Sequence, residues 1–232
     1  YPVSEWALGL ILICLRNAGE NFRKLIHRED DSWAPLDDPN FVSGELTGKR
    51  VGIVGCGHVG KRLIQLLQPF HVEVRVYDPY LPKVVPDLMG FLLTSLENLL
   101  RDSEIVVVCA PLTPRTRRMI GREQLNLIRK GAVLVNVSRG PIIDPVPLIE
   151  KLQAGELIAG LDVFDVEPIE KDNPLRDLPN VFLSPHIAGV TRASAHRFFS
   201  LAVDELERFF HGHETFFDMT SFVLANRRGT AI

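Results

Sequence analysis

The stretch Val51-Gly52-Ile53-Val54-Gly55-Cys56-Gly57-His58-Val59-Gly60 constrains this chain more than any other. A short β-branched run enters it and a helical pattern, Val59 to Leu67, leaves it, so G-x-G-x-x-G stands between a strand and a helix. Gly55 permits the tight turn, Gly57 lets the backbone approach a pyrophosphate, and Gly60 lets the helix pack on the strand. A helix that starts near His58 aims unpaired amides and the positive end of its dipole at the phosphates, so no lysine is needed there. Asp78 follows roughly 20 residues beyond the turn, at the end of the strand Val72 to Tyr77. Its carboxylate can accept from both hydroxyls of an adenosine ribose and would repel a 2'-phosphate. The pairing predicts NAD rather than NADP, with Arg75 or a nearby lysine as the cation that could alter the preference.

The rhythm continues on both sides of the turn. Strand patterns are expected at Arg50 to Val54, Ile105 to Cys109, Val133 to Val137, Ile158 to Val163 and Val181 to Leu183. Helical patterns fall between them at Ser95 to Leu100, Arg122 to Ile128 and Pro147 to Leu152, and an amphipathic helix, Arg192 to Phe210, closes the series. Strands apolar on both faces and alternating with helices require a parallel sheet covered on each side, that is, an α/β, Rossmann-type doubly wound fold. Upstream, apolar positions at helical spacing from residue 3 to residue 26 predict one long helix. Asp30 to Gly44 reads as a connecting loop, and the tail after Gly212 shows no clear period. The expected division is 1–44 as helix and linker, 45–190 as the dinucleotide-binding domain, and 191–232 as a returning helix and tail.

Composition narrows the partners. The 26 basic and 29 acidic residues are interspersed and leave a formal charge of -3, so no electropositive field exists to hold nucleic acid. The longest uncharged apolar run, Trp6 to Leu15, is ended by Arg16 well short of the roughly 18 to 20 residues that cross a bilayer. Cys14, Cys56 and Cys109 stand apart in apolar surroundings and read as buried thiols of a reducing compartment, the cytoplasm. The histidines show no metal-ligand spacing beyond His211 and His213 around a turn glycine, so no metal is assigned.

Three motifs follow predicted strands: Asn136-Val137-Ser138-Arg139-Gly140, Asp162-Val163-Phe164-Asp165-Val166-Glu167-Pro168 and Ser184-Pro185-His186-Ile187-Ala188-Gly189. In open α/β sheets ligands sit beyond the carboxyl ends of the strands, so these loops can share a crevice with the glycine turn. Hydride transfer to a 2-oxo acid needs a cation for the carboxylate, a proton donor for the nascent alkoxide and a tuner for that donor. Arg139, His186 and Glu167 are those types. Arg139 offers a planar two-pronged contact, and a Glu beside a His favours its protonated form. Singly, each has a plain alternative: a surface ion pair, a solvated loop acid, a core histidine. Together, after a dinucleotide turn, they point to catalysis.

With Glu45-Leu46-Thr47-Gly48-Lys49, Tyr77-Asp78-Pro79 and Pro111-Leu112-Thr113, these motifs make the chain resemble the D-isomer-specific 2-hydroxy acid dehydrogenases from about Val3 to Gly212. The resemblance implies that Arg139 binds substrate, that Glu167 pairs with His186, and that His186 is the acid/base. It implies NAD contacts at His58, Val59, Asp78, the Ala110 backbone, Val137, Ser138, Ala188 and Gly189, with Asp162 near the carboxamide. It also implies a homodimer with the first helix in the interface. Relatives carry most of a substrate domain before that helix, so the helices outside the sheet domain are expected to be its remainder. The same scaffold serves corepressor proteins that sense NAD(H) without turnover, which is the alternative reading.

Overall fold

The computed structural model describes residues 1–27, 44–82, 84–218 and 220–228. Its centre is a sheet of β1 (Arg50–Val54), β2 (Glu73–Tyr77), β3 (Leu92–Leu93), β4 (Ile105–Val108), β5 (Ala132–Asn136), β6 (Leu157–Leu161) and β7 (Val181–Leu183). The order is β3-β2-β1-β4-β5-β6-β7 and every pairing is parallel, which bears out the doubly wound α/β expectation. β4, β5 and β6 are buried along their whole length, as strands covered on both faces must be.

Alternation along the strands divides the core in two. Val51, Ile53, Ile105, Val107, Val133 and Val135 face α1 (Pro2–Leu15) and α3 (His58–Leu67), meeting Ala7, Leu10, Ile11, Leu63, Ile64 and Leu67. Val54, Val106, Val108, Leu134 and Ala159 face the other way, toward α5 (Leu96–Asp102), α6 (Arg122–Leu127) and α7 (Pro145–Gln153), through Leu99, Leu100, Leu125, Leu148 and Leu152. Each such side chain withdrawn from water contributes about 1.5–3 kcal/mol, and the two faces together hold the strand ends in register. α1 therefore belongs to the core of the sheet although it precedes the glycine turn by a long connection.

The structure corrects several boundaries. The single helix expected over 3–26 is two, α1 and α2 (Ala18–His27), because Asn17 takes a left-handed conformation at φ 45° and its amide turns back to the Cys14 carbonyl. Asn is among the few side chains that adopt this geometry readily. A short helix, α4 (Val84–Met89), and the two-residue β3 lie where no element was expected. α8 (Arg192–Phe210) has the predicted limits, started by a Thr191 cap on the Ser194 amide, but it buries none of its residues. α9 (Ser221–Arg228) occupies part of the tail that showed no period. The loop expected over Asp30 to Gly44 lies, apart from Gly44, outside the described residues.

Candidate functional site

The strand order reverses between β1 and β4, and the crevice this opens lies at their carboxyl ends. The glycine turn fills one side. Gly55 sits at φ +95°, and a Cβ there would come within 2.6 Å of the Ala110 backbone, so only glycine lets the turn rest on the end of β4. A Cβ on Gly60 would lie 2.4 Å from the Gly55 carbonyl oxygen, which explains how closely α3 returns to the turn. Gly57 is different: an added Cβ would meet nothing within 4 Å, and no side chain caps the start of α3. Open space in front of an uncapped helix start fits a pyrophosphate. His58 and Val59 open that helix. His58 is exposed, with its ring 6.4 Å from Phe217.

Asp78 closes the turn from β2. Its Oδ2 accepts the Cys56 amide at 2.8 Å and its Oδ1 accepts the Tyr80 amide at 3.0 Å, so the carboxylate shapes the loop that it borders. Arg75 is directed elsewhere, pairing with Glu73 at 2.5 Å and Asp102 at 3.2 Å. No guanidinium from β2 is therefore committed to a 2'-phosphate beside Asp78. Cys14, Cys56 and Cys109 are free thiols, and burial pushes them up to about 12, 11 and 12 respectively.

The three later loops converge. Val137 and Ala110 are buried, and the Ser138 hydroxyl donates to the Ala110 carbonyl, joining the ends of β5 and β4. Asn136, 1% exposed at the end of an otherwise apolar strand, sets the loop: its Oδ1 accepts the Ser138 amide at 3.1 Å and its Nδ2 donates to the Arg139 carbonyl at 3.0 Å. Arg139 is exposed and donates through Nη1 to the Ser138 carbonyl at 2.6 Å. Gly140 presses on the next loop so closely that a Cβ would lie 1.9 Å from the Phe164 carbonyl carbon.

Beyond β6 and β7, Glu167 and His186 meet. His186 Nδ1 lies 2.6 Å from Glu167 Oε2, and Glu167 Oε1 accepts the Phe164 amide at 2.9 Å. Burial raises the Glu167 carboxyl, but the hydrogen bonds from His186 and the Phe164 amide, with the charges of His186 and Arg139, carry it below its ordinary value. The approach of Gly140 to Phe164 brings the Arg139 loop against the loop that carries Glu167. His186 itself stands at φ 54°, in the left-handed region that few non-glycine residues occupy, His being one of the types found there more often.

Asp162, expected near the carboxamide, lies under the loop that carries His186. It is 0% exposed, and its oxygens accept from Ser184 Oγ and from the Ile187 and Ala188 amides at 2.5–3.0 Å. A polar group withdrawn from water needs internal partners, and those of Asp162 come from the loop that carries His186. Ala188 is buried with its amide committed to Asp162, and Gly189 is exposed beside Val3. Asn136 and Ser184 were quoted only as parts of motifs. The signal that singles them out is an uncharged polar residue at the end of a wholly apolar run, which needs an internal partner once buried.

Comparison with known proteins places these features in context. The sequence profile of the D-isomer specific 2-hydroxyacid dehydrogenase NAD binding domain matches residues 8–188. A D-3-phosphoglycerate dehydrogenase of Methanocaldococcus jannaschii is 35% identical over 90% of this chain and 39% of its own length. A glyoxylate reductase of Aeropyrum pernix is 37% identical over 78% of this chain and 53% of its own. Among solved structures, an NAD-complexed D-isomer specific 2-hydroxyacid dehydrogenase of Lactobacillus delbrueckii ssp. bulgaricus superposes with a TM-score of 0.79 at 26% identity, covering 92% of this chain and 67% of that one. The chain thus spans between 39% and 60% of the length of the first curated relatives.

Proposed function

Since the chain belongs to the D-isomer specific 2-hydroxyacid dehydrogenase family and carries its NAD-binding domain, we propose that the protein interconverts a small D-2-hydroxy acid and the matching 2-oxo acid. Arg139 binds the substrate carboxylate and the Glu167–His186 pair handles the proton. The observation that carries this reading is the 2.6 Å contact between His186 Nδ1 and Glu167 Oε2, with the Arg139 loop pressed at Gly140 against the Phe164 backbone that holds Glu167. Bound NAD supplies the carbon that takes or gives the hydride. The remaining steps belong to the chain.

A planar guanidinium grips a carboxylate with two parallel hydrogen bonds and so fixes which face of the neighbouring carbon is presented. The Arg139 guanidinium now rests on the Ser138 carbonyl, and it exchanges that acceptor for substrate. With Nδ1 held by Glu167, Nε2 of His186 is the nitrogen free to exchange a proton with the substrate oxygen. In oxidation the hydroxyl proton passes to Nε2. In reduction Nε2 returns it to the alkoxide oxygen. Glu167 stays ionised to a pH below that of an ordinary carboxylate, so it offsets the charge of the imidazolium formed in oxidation.

We assign 1–44 as an interdomain and dimer helix with its linker, α1 packing on the sheet, 45–190 as the NAD-binding domain, and 191–232 as a helix and tail returning toward a substrate domain. Homodimerisation is supported by exposed apolar side chains on α2, where Phe22, Leu25 and Ile26 are each more than half exposed. Among the described residues no helix is long and apolar enough to cross a membrane, and the three unpaired thiols favour the cytoplasm. The test is NADH oxidation by the full-length protein across glyoxylate, hydroxypyruvate, pyruvate and phosphohydroxypyruvate. Turnover of at least one is expected. Tight NADH binding with turnover of none would reject catalysis in favour of NAD(H) sensing.

A further inference from the structure

The buried carboxylate of Asp162 is the middle of a longer chain of hydrogen bonds. Ser184, 4% exposed, has a single hydroxyl proton and gives it to Asp162 Oδ1 at 2.5 Å. The lone pairs of that hydroxyl accept the indole Nε1–H of Trp6 at 3.0 Å. Trp6 stands on α1, next to Ala7, which is fully buried against the sheet. At the far end, Asp162 receives the amides of Ile187 and Ala188 on its carboxylate, while its backbone carbonyl accepts the His186 amide at 2.9 Å. His186 is thus held from both sides in a left-handed conformation that is uncommon for a non-glycine residue. Successive donors polarise one another, so the Trp6 bond strengthens the hold of Ser184 on Asp162.

We infer that Trp6 and Ser184 are positioning residues for His186: acting through Asp162, they hold the loop after β7 in the turn that aims the imidazole at Glu167, and they tie the acid/base group to helix α1. The inference rests on the reading of His186 as the proton-handling group. Their effect reaches His186 through the Asp162 carboxylate and the loop backbone that it holds. Any displacement of α1 relative to β7 is thereby transmitted to the imidazole.

Three variants of the full-length protein test this. Trp6→Phe keeps an aromatic ring and removes only the donor, Ser184→Ala removes the hydroxyl, and Ser184→Thr retains it. kcat is expected to fall about threefold to tenfold in Trp6→Phe, the worth of one net hydrogen bond. In Ser184→Ala it falls roughly tenfold to a hundredfold, because a buried carboxylate oxygen loses a partner. Ser184→Thr stays near wild type. Because Asp162 and Ala188 also stand among the expected NAD contacts, kcat is read at saturating NADH. The second readout needs no turnover: a long-range 1H–15N spectrum reads the two imidazole nitrogens of His186, assigned by the signals lost in His186→Gln. At mildly alkaline pH the proton stays on Nδ1 in wild type and Ser184→Thr, and averages over both nitrogens in Trp6→Phe and Ser184→Ala. Unchanged kcat and unchanged nitrogen shifts in a folded Trp6→Phe protein would overturn the relay. Should the wild type reduce no 2-oxo acid, the catalytic reading is the one that fails, and the nitrogen shifts still decide the relay. Should Ser184→Ala not fold, Trp6→Phe and Ser184→Thr carry the decision.

Discussion

Replacing Gly140 by Ala tests whether the site depends on two loops lying in contact. A Cβ at this position would stand 1.9 Å from the carbonyl carbon and oxygen of Phe164 and 2.4 Å from the Asp165 amide nitrogen. That is about 1.5 Å short of ordinary van der Waals contact, and both obstacles are backbone, so one loop must move bodily. The loop that moves carries either Arg139 or the Phe164 amide that holds Glu167. Overpacking of this size costs about 1–3 kcal/mol, and each kcal/mol lowers Tm by about 2–4 °C in a domain of this length. Misplacement by about 1 Å costs on the order of 10²-fold in turnover. The expected result is a folded protein with a modestly lowered Tm, nearly unchanged NADH affinity by fluorescence titration, and kcat reduced by about two orders of magnitude. A Gly140→Ala protein with kcat within about twofold of wild type would refute the claim that this contact aligns the catalytic groups.

Glu167→Gln should lower kcat by about 10²-fold or more, because the neutral amide no longer offsets an imidazolium; steady-state kinetics would show it. The folded carboxyl lies below its ordinary value, so its contribution to stability is whole above about pH 4.3 and fades as pH falls through the lower folded value. Urea melts of the Gln variant between about pH 3 and pH 6 should lack that segment of the profile. Gly55→Ala places a Cβ 2.6 Å from the Ala110 backbone at a φ of +95°, and should cost about 1–3 kcal/mol of stability and at least about tenfold in NADH affinity. Asp78→Ser should weaken NAD more than NADP in paired titrations; equal loss of both would leave Asp78 only its part in shaping the turn through the Cys56 amide.

Much of the fold was legible because burial on both faces leaves a strand no choice but continuous apolar sequence. β1, β7 and α8 have the limits read from pattern alone, and the other long elements of the sheet domain differ at their ends by one or two residues. What pattern could not show is direction. The apolar spacing runs straight through Arg16 and Asn17, so the break between α1 and α2 is set by a single left-handed residue that periodicity does not register. α8 carries the adjacent pairs Phe198–Phe199 and Phe209–Phe210, each pair exposed, so its apolar residues do not fall on the one face that the helical spacing suggested. Within the site, the residue types needed for the chemistry were visible at the ends of strands. Whether a carboxylate faces the crevice or the loop beneath it was not: Asp162 and Glu167 are both acids after β6, yet one is wholly buried under the His186 loop and the other pairs with the His186 ring. Only the partners distinguish them.

The central claim is that Arg139, Glu167 and His186 act on one substrate beside the nicotinamide. The most direct measurement is a crystal structure of the full-length protein with NAD and oxamate, an unreactive analogue of a 2-oxo acid. The account predicts that the Arg139 guanidinium leaves the Ser138 carbonyl for the oxamate carboxylate, and that His186 Nε2 comes within hydrogen-bonding distance of the oxamate carbonyl oxygen while Nδ1 keeps Glu167. An oxamate bound beside the nicotinamide with Arg139 still on Ser138, or with the imidazole turned from it, would contradict the account.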